Sequence, residues 1–186
     1  MTRLPLHTLE TAPEASQTLV QQARNNNGFL PNLIGILANA PVALETYFTV
    51  SGINARASLN LAEREVVRIT AARLHGCEFC VAGHTAVALK KAQLDKATVQ
   101  QLQLGGSTGN PRLDAVARFT AEVIASRGNV GDGALADFVA AGFEPAQALE
   151  VVLGVSLATL CNFANVFART PLNPELAQYR WEKPAN

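Results

Sequence analysis

Apolar residues recur along this chain every three to four positions, and no segment alternates strictly between apolar and polar residues. The spacing predicts an all-α protein, because residues three and four apart share one face of a helix. We predict eight helices, over residues 13–25, 41–57, 61–75, 77–91, 96–103, 111–126, 131–141 and 145–168.

Helix-ending residues support these boundaries. Asn60 precedes Leu61-Ala62-Glu63 and predicts an N-cap with an acidic residue in the first turn. Gly76 interrupts the helical pattern directly before Cys77, and the glycine-rich segment 105–111 predicts a loop. Because all linkers are short, we expect one domain over residues 1–186, with a polar tail, 171–186, that frays or wraps a neighbouring subunit. Tyr179 and Trp181 in the tail suggest packing onto a partner.

Composition narrows the classes of function. The chain is 48% hydrophobic and 16% charged, and its formal net charge is zero. Without a basic excess we expect neither a nucleic-acid partner nor a membrane-surface partner. The apolar run 151–161 is too short to cross a membrane, so we expect a buried helix there. The apolar composition fits surface buried between subunits, and the lack of a leader-like start before Glu10 predicts a cytoplasmic protein.

The candidate chemistry lies in Cys77-Glu78-Phe79-Cys80. At 100° per residue, Cys77, Cys80 and His84 fall on one helix face, whereas Phe79 points elsewhere. Gly76 predicts that Cys77 lies at or near a helix N-terminus, where free amides and the helix dipole favour a thiolate. His84 could exchange a proton with either thiol.

The preceding helix supplies a fourth candidate. Glu65 lies at the margin of the apolar face of helix 61–75, whereas Arg64, Arg68 and His75 fall on a charged face that we expect to meet solvent. If the two helices fold back at Gly76, the Glu65 carboxylate could reach the sulfurs or His84. Partial burial would raise the pKa of Glu65 and suit it to general-base work.

The spacing of Glu65, Cys77-x-x-Cys80 and His84 resembles the core signature of the alkylhydroperoxidase D family, within the carboxymuconolactone decarboxylase superfamily. The similarity is strongest over residues 61–91. It extends more loosely to the segment 28–33 and to Pro41-x-x-Leu44, which are similar to the branch called peroxidase-related.

The resemblance implies an all-α, single-domain helical bundle assembled as a homotrimer or homohexamer, with peroxide-reducing thiol chemistry. Cys80 would be the attacking thiolate and Cys77 the resolving thiol, with His84 and Glu65 as the proton relay. The partners would be a hydroperoxide and a dithiol reductant such as a lipoyl protein. No cofactor or metal is expected beyond the redox-active Cys77–Cys80 disulfide. Phe79 stands where relatives carry a second histidine.

Other interpretations remain open from the residues alone. The two cysteines with His84 and Glu65 could hold a metal, although no second CxxC supplies further ligands, or they could be inert buried thiols. A carboxymuconolactone decarboxylase-like activity and a non-enzymatic oligomeric metal- or ligand-binding protein are the alternative functions. We expect Cys161 to be a core residue. Asn162 and Asn165 could bond a relay residue or a neighbouring subunit, but we favour capping or helix–helix polar contacts for them.

Overall fold

The computed structural model describes residues 1–183 and is all-helical in that range. The described residues form nine α-helices and one 3₁₀ helix, Pro174–Tyr179. The α-helices are α1 (Glu14–Asn27), α2 (Asn32–Leu37), α3 (Pro41–Asn54), α4 (Leu61–His75), α5 (Glu78–Lys90), α6 (Lys96–Leu104), α7 (Pro111–Ser126), α8 (Asp132–Ala140) and α9 (Pro145–Ala168).

The predicted all-α class is confirmed, and each predicted helix has a counterpart. Two short elements were missed, namely α2 and the 3₁₀ helix. Each spans only six residues and begins directly after or at a proline, so its hydrophobic pattern is too short to show a period. Helix α5 begins at Glu78 rather than at Cys77, because Cys77 is its N-cap with an extended backbone.

Helix α4 lies at the centre of the fold and packs against α5, α7 and α9. Its N-terminus carries a full capping box, in which Asn60 accepts from the Glu63 amide and the Glu63 carboxylate accepts from the Asn60 amide. Its C-terminus ends at Gly76, whose φ of 69° is left-handed and favours glycine. This turn folds α5 back against α4 and places the cysteines at the junction of the two helices.

Two apolar clusters fill the interior. One lies around Phe79, Cys80, Leu157 and Cys161 and is closed by residues from α1, α2 and the tail. The other contains Val66, Val67 and Ile69 of α4 together with buried residues of α6, α7, α8 and α9. The predicted reactive segment is therefore part of a core, not of a surface loop.

The tail packs on its own chain. Trp181 is only 7% exposed and belongs to the first apolar cluster, and Tyr179 packs against the same cluster. Asn173 is buried and bonds both Leu30 and Asn32. The expectation that the tail frays or that Trp181 covers a partner is therefore wrong, because these aromatic rings find apolar surface within the chain. Residues 184–186 of the predicted tail lie outside the described residues.

Helix α9 is the most apolar element. By length and composition it could cross a bilayer, but core helices of folded proteins satisfy the same criterion. Its buried face, which includes Val151, Gly154, Leu157 and Cys161, lies against the interior, as predicted for the run 151–161.

Candidate active site

The two cysteines of the CxxC motif lie at the junction of α4 and α5. Cys77 caps α5, and its sulfur accepts a hydrogen bond from the Cys80 amide at 3.3 Å. The side chains are buried, with 1% of Cys77 and 5% of Cys80 exposed, and both are free thiols. The prediction that Cys77 lies at a helix N-terminus is confirmed, and its place as the N-cap sets it beside Cys80 in the first turn of α5.

His84 and Glu65 form a pair across α4 and α5. The His84 Nδ1 atom lies 2.8 Å from Glu65 Oε2, and the Glu65 side chain is fully buried. Arg68 approaches the other carboxylate oxygen of Glu65 at 3.4 Å and also donates to Asn54. The structure thus brings Glu65 to His84, as the fold-back at Gly76 predicts. Arg68 joins this network and is not the free surface charge that we expected.

The pKa of Glu65 moves opposite to our expectation. Burial alone would raise it, but the charge of His84, the hydrogen bond with its ring and the nearby Arg68 outweigh burial and hold the pKa of Glu65 below its ordinary value. Glu65 is therefore a carboxylate that fixes the imidazole through Nδ1. Because Nδ1 is engaged, Nε2 is the ring nitrogen left for the reacting atoms.

The two thiols differ in acidity. Burial opposes ionisation of Cys80, but hydrogen bonds from Cys77, Asn165 and Asn162 outweigh it and hold the pKa of Cys80 below the usual thiol value. The hydrogen bond to Cys80, together with burial, raises the pKa of Cys77 far above its usual range. Electrostatics therefore favours a thiolate at Cys80 and a protonated thiol at Cys77.

A cavity of about 510 Å³ opens beside the dithiol. Cys80 and His84 both border it, whereas Cys77 is not among its lining residues. The walls are mainly apolar and come from α2, α3, α5, α9 and the tail, with Leu33, Phe79, Leu157, Leu176 and Tyr179 among them. Two exposed lysines, Lys90 and Lys91, also line it. Only one of the two thiols is thus in reach of a molecule held in the cavity.

The helical wheel places Phe79 away from the face of Cys77, Cys80 and His84, but in the structure Phe79 lines the same cavity as Cys80. The wheel assumes that Cys77 is helical, whereas Cys77 is the N-cap and lies outside the helix. Cys161 is buried in the first apolar cluster and also borders the cavity. Burial, followed by the charge of Cys80, raises the pKa of the Cys161 thiol. Burial, followed by the nearby Cys161 thiol, raises the pKa of Tyr47 to about 12.

Helix α9 contributes two asparagines to the site. Asn165 donates from Nδ2 to the Cys80 sulfur at 3.2 Å, and Asn162 bonds His75 at 3.0 Å. Both are polar contacts between helices, the kind predicted for this pair, and the one from Asn165 reaches a thiol of the CxxC motif. His75 is half-buried rather than on a solvated face. Two asparagines three residues apart in an apolar helix were the one signal in the sequence for this contact.

A metal site finds no support in the side-chain geometry. Within residues 1–183, no group of three or more histidine, cysteine or acidic side chains is arranged to hold a metal ion. The cysteine pair, His84 and Glu65 lie in one region, but the carboxylate is bonded to the imidazole rather than turned towards the sulfurs. The arrangement defines a class of protein: an all-helical bundle with a buried dithiol beside a histidine–carboxylate pair.

Comparison with known proteins finds a family match over part of the chain. The carboxymuconolactone decarboxylase family matches residues 41–122, a segment that includes both cysteines, His84 and Glu65. No curated protein matches the chain significantly. This family match over part of the chain, together with the shared fold of solved alkylhydroperoxidase-core and peroxidase-related proteins, supports the predicted resemblance to the alkylhydroperoxidase D-like type.

Solved structures share the fold over nearly the whole chain. A peroxidase-related protein from Ralstonia eutropha JMP134, described as an alkylhydroperoxidase core, is 20% identical over 98% of each chain, with a TM-score of 0.86. A peroxidase-related protein from Silicibacter sp. TM1040 is 17% identical over 96% of each chain, with a TM-score of 0.81. The debrominase Bmp8 is 15% identical over 96% of each chain, with a TM-score of 0.76. A variant of that debrominase has been solved with 2,3,4-tribromopyrrole.

Proposed function

We propose that this protein is a thiol-dependent peroxidase that reduces organic hydroperoxides through Cys80, with Cys77 as the resolving thiol. One observation carries the proposal. Cys80 is the member of the dithiol that borders the cavity, and it shares that cavity with His84, whose other side is bonded to the buried Glu65. Cys80 therefore combines access to the cavity, a lowered pKa and a nearby proton donor.

The chemistry proceeds in three balanced steps. The Cys80 thiolate attacks the terminal oxygen of the hydroperoxide, the O–O bond breaks, and a proton delivered through His84 Nε2 leaves with the departing oxygen as an alcohol. Cys80 is now a sulfenic acid. The Cys77 thiol then attacks the Cys80 sulfur, which forms the disulfide and releases water. An external dithiol reopens the disulfide by exchange and is itself oxidised.

The cavity supports an organic substrate rather than hydrogen peroxide alone. Its volume of about 510 Å³ lies in the range of sites for small organic ligands. Leu33, Phe79, Leu157 and Leu176 give it apolar walls that favour a hydrocarbon body. The solved complex of the debrominase with 2,3,4-tribromopyrrole supports this size of ligand in a related fold.

The test is hydroperoxide consumption with a small dithiol as reductant. Cumene hydroperoxide should be consumed with a higher kcat/KM than hydrogen peroxide. Cys80→Ser should abolish both the turnover and the first stoichiometric reaction. Cys77→Ser should retain one stoichiometric reduction and trap Cys80 as a sulfenic acid, which dimedone labels. Undiminished turnover in Cys80→Ser would overturn the proposal.

A lactone decarboxylase is the second candidate, because the family match covers the whole site. Decarboxylation transfers no electrons, so it requires neither thiol. Conversion of a carboxymuconolactone by the double variant Cys77→Ser, Cys80→Ser would favour this candidate, whereas its absence in an active peroxidase would exclude it. Bromide release from a bromopyrrole, measured in parallel, would extend the thiol chemistry to dehalogenation.

We infer that the chain self-associates through α9 and forms a homotrimer or homohexamer. We also infer that it works in the cytoplasm, with a lipoyl-type dithiol protein as its reductant. Exposed apolar side chains follow one stripe of α9, with Leu149, Phe163 and Phe167 each more than half exposed. Sedimentation equilibrium should give three or six chains per particle. A monomer at micromolar concentration, or no loss of association in Phe163→Glu, would contradict this assembly.

A further inference from the structure

Helix α9 buries two amide side chains beneath the dithiol. Asn162 and Asn165 are 1% and 3% exposed, although the helix around them is strongly apolar. A buried amide costs free energy unless its polar atoms find partners. The hydrogen-bond partners of these two side chains are the cysteine sulfurs and His75, so the contacts that offset the cost of burial lie at the reactive site.

Asn165 serves the cysteine sulfurs. Its Nδ2 atom donates to Cys80 Sγ at 3.2 Å, and its Oδ1 atom is buried without a hydrogen bond to any described residue. An amide retained only for helix packing would be expected to satisfy its oxygen as well. A donor aimed at sulfur favours the charged form of a thiol over the neutral form. Asn165 is therefore built for a thiolate.

Asn162 is oriented by a residue outside the dithiol. The His75 Nδ1 atom lies 3.0 Å from Asn162 Oδ1, which requires the imidazole to carry a proton on Nδ1 and to donate it. Because an amide has one accepting end and one donating end, a fixed Oδ1 leaves the NH₂ group to face the sulfur. The lowered pKa of Cys80, to which Asn162 contributes, agrees with this orientation.

We propose that Asn165 and Asn162 form an amide cradle for the Cys80 thiolate, and that His75 is a positioning residue that fixes the amide of Asn162. The inference rests on Cys80 as the attacking thiol. It gives α9 a part in the reaction, because amide groups of this helix would stabilise the negative charge on the Cys80 sulfur. His75 acts through Asn162 and does not touch the reacting atoms.

The test measures the acidity of Cys80 directly. Alkylation of Cys80 by iodoacetamide is followed against pH and quantified by peptide mass spectrometry, which separates it from Cys77 and Cys161. Each of these cysteines, with Tyr47, is a titratable group near Cys80. Loss of a hydrogen bond to a charged group should lower the alkylation rate at pH 7 about tenfold in Asn165→Leu.

The variants at Asn162 and His75 separate the cradle from simple packing. Asn162→Asp keeps the shape but presents only oxygen, so it should raise the pKa of Cys80 more than Asn162→Leu does. His75→Ala should slow alkylation at pH 7 by about three- to tenfold, and His75→Gln should restore most of the rate through its amide donor. His7→Ala is the matched control, because the His7 ring approaches Thr11 and bonds no residue of the dithiol or of α9.

A measurement on the unaltered protein keeps the inference falsifiable if a variant misfolds. Nitrogen-15 NMR of the wild-type protein should find His75 with its proton on Nδ1. The Nε2 tautomer would overturn the positioning role, since Asn162 would then donate to His75 and turn its oxygen to Cys80. Wild-type alkylation profiles in both Asn165→Leu and Asn162→Leu would overturn the cradle. Because no peroxide is used, these results are independent of the turnover assay.

Discussion

We expect the pair formed by Glu65 and His84 to contribute measurably to the free energy of unfolding and to be needed for a large part of the activity. Glu65→Gln keeps the size of the side chain and removes its charge, whereas His84→Ala removes the imidazole. The two single variants and the double variant form a cycle that isolates the energy of the pair. Both residues lie in regular helices, α4 and α5, so the backbone should tolerate the changes.

The magnitude follows from burial and distance. Two unit charges 4 Å apart interact by about 4 kcal/mol at the effective dielectric constant of a protein surface. The His84 side chain is 24% exposed, and Arg68 remains within 3.4 Å of the carboxylate when His84 is removed. Both features reduce the loss. We therefore expect a coupling energy of about 2 kcal/mol, within the range for hydrogen bonds to charged groups.

Acid should remove the Glu65 contribution in a defined direction. The pKa of Glu65 is lower in the folded chain than its ordinary value, so the stabilisation is complete above pH of about 4.5. It should be lost as the pH falls through the folded-state pKa, because the unfolded chain then binds the proton first. The stability difference between the wild type and Glu65→Gln should shrink over that interval.

Urea unfolding at a fixed chain concentration, followed by circular dichroism, measures the coupling, and hydroperoxide consumption measures the activity. Glu63→Gln is the matched control. Glu63 is a second buried carboxylate on α4, but it bonds Arg112 at 2.6 Å on the side away from the dithiol. This control should lose stability and keep its activity. A coupling below about 0.5 kcal/mol, or full turnover in Glu65→Gln, would refute the reasoning.

Four further substitutions test packing and the cavity. Gly154→Ala places a methyl group 2.9 Å from Val67 and should destabilise the fold by about 1–3 kcal/mol. Gly52→Ala places its methyl group in open space and should stabilise the fold by up to about 1 kcal/mol. Urea unfolding compares the two variants. Trp181→Ala should cost about 3 kcal/mol in urea unfolding, because the ring is buried in the core. Ala86→Phe, on the cavity wall, should raise KM for cumene hydroperoxide more than for hydrogen peroxide, as steady-state assays would detect.

Local signals made α4, α5 and the turn between them predictable. Asn60 and Gly76 mark helix ends by backbone chemistry, and the spacing between Glu65 and His84 places them on facing sides of that turn. The contacts of α9 with the dithiol could not be found this way. Asn165 is 85 residues from Cys80, and no local pattern indicates which helix face will meet the sulfurs. Trp181 was misjudged for the same reason, because its cover comes from distant segments.

The two thiols are chemically identical, but their positions at the N-terminal end of α5 give them different roles. As the N-cap, Cys77 is bonded by the backbone amide of Cys80 and does not line the cavity, so the proposed hydroperoxide substrate would meet Cys80 first. The raised pKa of Cys77 keeps its proton in place, and that protonated thiol in turn stabilises the Cys80 thiolate. In the proposed mechanism Cys80 loses its negative charge when it becomes a sulfenic acid, and one of the causes of the high pKa of Cys77 is removed with that charge. Oxidation of Cys80 would thereby favour ionisation of the thiol that acts next.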